Sequence, residues 1–202
     1  MKKTFLFILM GLLLFSCDPK QKQEVASQPV ELNVENVIST DREQMYLNTN
    51  GDYRWYETMI LLDKCLDEES PKIAEIVNIF QVAEFEDSTT ADVYVHKFQH
   101  FADGNSTHES TRGFWVEDFP LNDSIIAVTY QQAFEKIQQV NFPKPHSRHV
   151  CLRNPIGPIS INPQWVFGNI NEQLWVDAVT GEVKNSNPAF PDEFKMPLGE
   201  WP

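Results

Sequence analysis

Hydrophobic and polar positions along the first half of the chain predict helices followed by strands. In residues 53–69 apolar positions recur at spacings of three and four, which predicts an amphipathic helix that a Ser-Pro pair ends. Residues 40–43 have capping-box spacing and predict a shorter helix that ends near Leu47. Segments rich in β-branched and aromatic residues predict three strands, at 73–85, 93–101 and 113–119, with a polar loop over 103–111.

The same order of elements begins again in the second half. Thr129 and Gln132 have capping-box spacing, and the apolar positions that follow share one helical face, so we predict a helix over 130–140. Further strands are predicted at 148–152, 164–168 and 173–178. We therefore expect an α+β fold with helices packed on antiparallel sheet. It is built either as two tandem units, at 39–122 and 123–184, or as one α+β domain without a repeat.

The N-terminus has the pattern of an export signal over residues 1–16. Two lysines precede a twelve-residue apolar run, whose helical length of about 18 Å is too short to span a bilayer. The run ends in Leu14-Phe15-Ser16-Cys17, which resembles the lipobox of bacterial lipoproteins. This resemblance implies that Cys17 is acylated and becomes the first mature residue. The alternative is an ordinary signal peptide cleaved near Ala26.

Residues 17–38 begin with a polar, glutamine-rich stretch and predict a flexible tether behind the lipid. The expected location is the cell envelope, where the N-terminal lipid would attach the protein to a membrane. Whether the inner or the outer membrane is used stays open.

Charge and composition exclude three classes of protein. The chain carries 16 Lys+Arg against 29 Asp+Glu, a net charge of −13, and loss of residues 1–16 would make it more negative. Such a charge argues against nucleic acid as a partner and against adsorption to anionic lipid. At 42% hydrophobic and 12% aromatic residues, the chain is also too apolar to be disordered.

Residues 164–183 contain the most informative motif. Two short apolar strands flank a polar turn, and Asp177-Ala-Val-Thr180-Gly181-Glu-Val183 forms a second turn. The segment resembles the C-terminal hairpin of PepSY-like domains, which combine a helix with antiparallel strands. That resemblance implies a binding or regulatory module, structural roles for Asp177, Thr180 and Gly181, and no catalytic residues to transfer. The proline-rich insert at 154–163 departs from the family pattern and leaves the strand order open.

Apart from Cys17, the chain has two cysteines, Cys65 and Cys151. An oxidising compartment would allow one disulfide between them. The alternative is two separate buried thiols, which their apolar neighbours favour. Cys151 lies two residues from His149, but no third group that could orient the imidazole is identifiable, so no catalytic set is predicted.

No metal or cofactor site is predicted from the histidines and acidic loops. His96 and His100 are four apart on a predicted strand, about 13 Å from each other, and His108 has Arg112 where a second zinc-binding histidine would stand. The segment from Asp103 starts like a calcium loop but lacks the required glycine and glutamate. The histidines are therefore expected to be exposed residues of a sheet, and calcium binding at the carboxylates of residues 84–87 stays open.

The tail, residues 185–202, carries four prolines together with several large apolar side chains. The prolines exclude regular structure over most of its length. We predict a strap that packs across the domain, the alternative being an exposed peptide that binds a partner.

Together these patterns predict a lipid-anchored envelope protein that acts by binding. A peptide or partner protein would lie against a sheet edge or an aromatic groove. Two alternatives stay open: an envelope hydrolase whose residues converge from distant segments, and a structural subunit of an envelope complex.

Overall fold

A computed structural model describes residues 31–85, 91–116, 118–156 and 161–185. The predicted signal, Cys17, most of the tether and nearly all of the C-terminal strap lie outside the described residues, as do Glu86 and Asp87. Within the described residues, two α-helices pack on a nine-stranded antiparallel sheet. The predicted α+β class is therefore confirmed. None of the described helices is long and apolar enough to cross a membrane.

The elements follow one another as a helix, a run of strands, a second helix and a second run of strands. In chain order they are α1 (Val34–Thr49), β1 (Arg54–Leu62), β2 (Ile73–Phe85), β3 (Ala91–Phe101), β4 (Ser106–Arg112), β5 (Asp118–Phe119), a 3-10 turn (Asp123–Ile125), α2 (Tyr130–Gln139), β6 (His149–Pro155), β7 (Gln164–Gly168), β8 (Gln173–Asp177) and β9 (Val183–Asn185).

One continuous sheet joins both halves of the molecule. Its strand order is β4-β3-β2-β1-β6-β7-β8-β9, with the short β5 paired to β6. The strand that follows each helix, β1 in the first half and β6 in the second, meets its counterpart at the centre in an antiparallel pair. The predicted boundary between residues 122 and 123 falls in the connection from β5 to α2. The order of elements thus repeats, and an origin by duplication stays a prediction.

Both helices cover the same face of the sheet. One hydrophobic core joins residues of α1, such as Ile38 and Met45, with Ala133 and Ile137 of α2 and with residues of strands from both halves. On the opposite face, which no helix of the described residues covers and which we call the helix-free face, Tyr56, Val77 and Ile79 form a smaller cluster.

The prediction of a helix over residues 53–69 is wrong, because this segment contains the central strand β1. A central strand is covered on both faces, so nearly all of β1 is buried and the alternation typical of a strand is lost. The register also shifts between Trp55 and Glu57, where a bulge interrupts the alternation. Apolar positions on two faces of one strand thus produced spacings that imitate a helix.

Strand β4 lies where a polar loop was predicted. All seven of its residues are exposed at the edge of the sheet, so no apolar alternation marks it. The predicted strand over 113–119 is reduced to the two residues of β5. At the other end of the domain, α1 begins at Val34, within the predicted tether, because Val34 and Ile38 are buried against the sheet.

Candidate functional site

A groove runs between α1 and the segment that leads from β5 into α2. One part is a cavity of about 180 Å³ with Trp55, Leu152 and Trp165 among its lining residues. The adjoining part is a cavity of about 270 Å³ whose lining includes Tyr46 and Arg54. Both cavities share Arg42, Trp55 and Asp123. We call this surface the α1 groove.

An ion pair and a ring contact fix the middle of the α1 groove. Arg42 projects from α1 and its guanidinium lies 2.6 Å from the Asp123 carboxylate. The same guanidinium lies 5.8 Å from the centre of the Trp55 ring, which is within the range of a cation–π contact. Arg42 therefore bridges the two walls above an aromatic floor.

Hydrogen bonds hold the floor and the ends of the groove in place. The indole N–H of Trp165 donates to the Val128 carbonyl at 2.8 Å, and Leu121 N–H donates to the Trp55 carbonyl at 2.7 Å. The Glu35 carboxylate of α1 accepts from Tyr130 N–H at the start of α2, at 2.8 Å. These bonds connect α1 to the start of α2, and the segment between β5 and α2 to β1 and β7.

Large apolar side chains are exposed around the same surface. Tyr46 (60%) lines the groove, and Phe119 (51%) and Ile125 (40%) are next in sequence to the lining residues Pro120 and Ile126. Exposed aromatic and aliphatic residues next to a cleft are typical of a protein-binding surface. The described lining residues include no cysteine or histidine.

A second cluster brings together Cys65, Asp67 and His146. The Cys65 sulfur lies 4.0 Å from His146 Nε2, and the oxygens of the Asp67 carboxylate lie 3.0 and 3.1 Å from Nδ1 of the same ring. Cys65 and Asp67 belong to the connection between β1 and β2, whereas His146 precedes β6. We call this group the thiol–imidazole cluster.

Charge around the thiol–imidazole cluster disfavours a thiolate nucleophile. Partial desolvation and the carboxylates of Glu68 and Asp67 raise the pKa of the Cys65 thiol. The hydrogen bond that the ring donates to the Asp67 carboxylate, together with the charge of that carboxylate, raises the pKa of His146. A catalytic cysteine needs the opposite, a lowered thiol pKa. The geometry resembles a nucleophile–base–carboxylate set, but its electrostatics oppose that chemistry.

Sequence patterns did not indicate either site. Cys65 and His146 are 81 residues apart and have no motif spacing. The walls of the groove likewise come from separate segments. A local sign of it is the concentration of hot-spot residue types in Tyr53-Arg54-Trp55.

Cys65 and Cys151 are both free, so the disulfide between them is not formed. Cys65 lies in a loop, while Cys151 lies on β6 opposite Met59, on the helix-free face. Burial and the nearby Glu57 carboxylate raise the pKa of the Cys151 thiol. Cys151 is thus a poor nucleophile as well.

The prediction that the histidines of β3 and β4 are exposed is wrong for His100, whose side chain is largely covered. His100 Nε2 binds the buried Asp41 carboxylate of α1 at 2.9 Å. Asp41 accepts a hydrogen bond from Asn78 at 2.7 Å, and Asn78 in turn accepts one from the Thr58 hydroxyl. His96 and His108 contact each other, with Nδ1 and Nε2 3.1 Å apart. His100 therefore belongs to a polar network between α1 and the sheet.

Asp177, Thr180 and Gly181 lie at the turn that follows β8. One oxygen of the Asp177 carboxylate accepts from the backbone N–H groups of Val179 and Thr180, at 2.9 and 2.8 Å. Gly181 has a φ of +75°, which a glycine adopts without steric cost. The contacts of these residues are those of a turn.

No family model, curated protein or solved structure matches this chain significantly. The PepSY-like resemblance therefore stays a prediction from one segment.

Proposed function

We propose that this protein is a lipid-anchored module of the cell envelope that binds a polypeptide partner in its α1 groove. The observation that carries the proposal is the residue content of the groove. Trp55, Tyr46, Tyr53, Arg42 and Arg54 line it together, and Trp, Tyr and Arg are the side chains most enriched at binding hot spots.

The shape of the groove fits the side chains of a polypeptide. It is divided into two adjoining cavities of about 180 and 270 Å³. We expect neighbouring side chains of a partner segment to occupy the two cavities. The exposed apolar residues around the groove would then pack against the rest of the partner's surface.

The charge of the groove indicates the chemistry of the partner. The larger cavity combines two arginines, Arg42 and Arg54, with one carboxylate, Asp123. Because Arg42 is paired with Asp123 and Glu35 lines the smaller cavity, Arg54 is the cation that the groove offers to a partner, on a protein of net charge −13. We expect a partner segment that presents a carboxylate beside an aromatic or aliphatic side chain.

The proposed anchor is a lipid on Cys17. It is supported by the lipobox-like Leu14-Phe15-Ser16-Cys17 and by the polar stretch after it. Mass spectrometry of the mature N-terminus tests the anchor directly. We expect a peptide that begins at an acylated Cys17, and an unmodified peptide or a different first residue would refute the anchor.

Capture from detergent-solubilised envelope tests the groove. We expect the full chain to retain a partner that the double variant Tyr46→Ala, Arg54→Glu no longer retains, because both residues line the groove and are exposed. Ile170→Ala is the matched control, since Ile170 is exposed in the turn between β7 and β8. Equal capture by all three proteins would argue against the groove. A stoichiometric complex that resists both groove substitutions would favour the structural-subunit alternative.

A further inference from the structure

The thiol–imidazole cluster carries three metal-binding atom types outside the α1 groove. One donor atom from each of Cys65, Asp67 and His146 lies within 4.8 Å of the other two. Sulfur and imidazole nitrogen together are the ligands that zinc prefers in proteins. This makes the cluster different from an ordinary group of exposed carboxylates.

The distances fit a tetrahedral ion with only a small adjustment. Zinc bonds of about 2.3 Å to sulfur and about 2.0 Å to nitrogen, at the tetrahedral angle, place the two ligand atoms about 3.5 Å apart. Cys65 Sγ and His146 Nε2 are 4.0 Å apart. Both side chains are accessible, so a small rotation brings them to the bonding distance.

Asp67 is positioned to orient the imidazole of His146 rather than to bind the ion itself. Its carboxylate oxygens lie 3.0 and 3.1 Å from Nδ1, whereas the Cys65 sulfur lies 4.0 Å from Nε2. A carboxylate on the second nitrogen of a metal-binding histidine fixes the tautomer that leaves Nε2 free to bind.

The two connections that carry these donors are already held together. Leu62 N–H donates to the Arg148 carbonyl and Leu66 N–H to the Ser147 carbonyl, each at 2.8 Å. These bonds lie on either side of Cys65 in one connection and directly after His146 in the other. Little conformational entropy is therefore lost when an ion joins the two side chains.

Further carboxylates surround the cluster. Glu68 accepts from the Cys65 backbone N–H at 2.9 Å, and Glu172 accepts from the His146 backbone N–H at 3.3 Å. Together with Asp67 they create a negative environment that a divalent cation would neutralise.

We propose that Cys65 and His146 bind Zn²⁺ directly through Sγ and Nε2, that Asp67 orients the imidazole, and that water completes the coordination. The site is independent of the groove and goes beyond the function proposed for it. It would link the connection between β1 and β2 to the segment before β6 through an ion.

Metal titration of the full chain, purified in detergent and stripped with a chelator, tests this site. We expect one Zn²⁺ per chain by calorimetry. Cobalt is the spectroscopic probe, because binding to a thiolate gives a near-ultraviolet sulfur-to-cobalt charge-transfer band. Cys65→Ser should remove this band, and His146→Gln should remove one-to-one binding.

Matched variants separate the roles of the residues. Asp67→Asn should keep the charge-transfer band while weakening zinc affinity about 10–100-fold, as expected for a residue that acts on a ligand. His149→Gln and Cys151→Ser change the same residue types on β6 and should leave binding unchanged, with folding checked by circular dichroism. Absence of saturable binding in the wild type, or a band that survives Cys65→Ser, would overturn the proposal.

Discussion

The polar network beneath α1 determines where the groove residues lie. Asp41 is buried on the sheet side of α1 and is held by His100 and Asn78. Arg42 is the next residue, and it forms the bridge across the groove. Because the network fixes the position and rotation of α1, it also fixes the guanidinium above Trp55. One buried set of hydrogen bonds thus links the stability of the domain to the shape of its binding surface.

Asn78→Ala should lower the free energy of unfolding by about 1–3 kcal/mol. Asn78 is fully buried and bonds both Thr58 and Asp41, so its removal leaves two buried polar groups without that partner. Chemical denaturation at neutral pH measures the change. Asn171→Ala, in an exposed turn, is the control and should have little effect. A loss no larger than that of the control would contradict a stabilising network.

Asp177 should make stability depend on pH in the acid range. Burial acts to raise the pKa of its carboxyl, but hydrogen bonds from Thr180, Asn162, Val179 and Gln164 outweigh burial and lower the pKa below its ordinary value. The stabilisation is therefore complete above the unfolded pKa of about 3.9. It is lost as the pH falls through the lower folded pKa.

Urea unfolding of the wild type and of Asp177→Asn measures this dependence. We expect the difference between their free energies of unfolding to be constant near neutral pH and to shrink below about pH 4. A difference that is the same at neutral pH and in acid would show that the charge of Asp177 contributes nothing.

Local chemistry was predictable at the scale of the residue, and contacts between distant residues were not. The capping box at Thr129 and the turn at Asp177 depend on atoms within a few residues, and the sequence shows both. The contact of Cys65 with His146 joins residues 81 positions apart and exists only because β1 pairs with β6. The ion pair of His100 with Asp41 likewise requires α1 to lie on the sheet.

Among the elements, the clearest predictions came from those with one covered face. Helix α2 has an apolar side and a complete capping box, and its predicted position was confirmed. Strand β1 is covered on both faces, and β4 is exposed on both. Neither has the alternation by which a half-buried strand is recognised. Burial by the rest of the fold, which the local sequence does not encode, determined both patterns.

Thr129→Ala should destabilise the protein by about 0.5–2 kcal/mol. The Thr129 hydroxyl accepts from Gln132 N–H at 3.2 Å, and the Gln132 side chain accepts from Thr129 N–H at 2.9 Å. Thermal and chemical denaturation measure the loss. Thr107→Ala removes the same groups from the exposed strand β4 and should cost much less. Equal losses in the two variants would mean that the cap does not stabilise α2.

At the scale of the whole molecule, the groove depends on both halves of the chain. Trp55 and Arg42 come from the first half, whereas Val128 and Trp165 come from the second. The two halves meet because β1 and β6 pair at the centre of the sheet. A helix followed by strands was predicted in each half, but the long helix of the first half was placed at 53–69, where β1 lies. The cleft that forms where the halves join could not be predicted, since it depends on how α1 and the entry to α2 pack on a shared sheet.

Removal of the predicted C-terminal strap should lower the melting temperature. Val166 and Trp175 are buried on the helix-free face, yet neither joins the two hydrophobic clusters of the described residues. A strap that crosses this face would cover them. Each large apolar side chain that becomes fully buried would stabilise the fold by about 1.5–3 kcal/mol. Truncation after Asn185 spares β9 and tests this. An unchanged melting temperature would favour an exposed peptide.

Site-specific photo-crosslinking in intact cells tests most directly whether the α1 groove binds a partner. A photoreactive residue replaces Tyr46 at the rim of the groove, and Ile170 is replaced in a parallel control. We predict one discrete cross-linked species from position 46, which is absent from position 170 and is lost when Arg54→Glu is added. No product at position 46, or the same product from both positions, would contradict a groove that binds a partner.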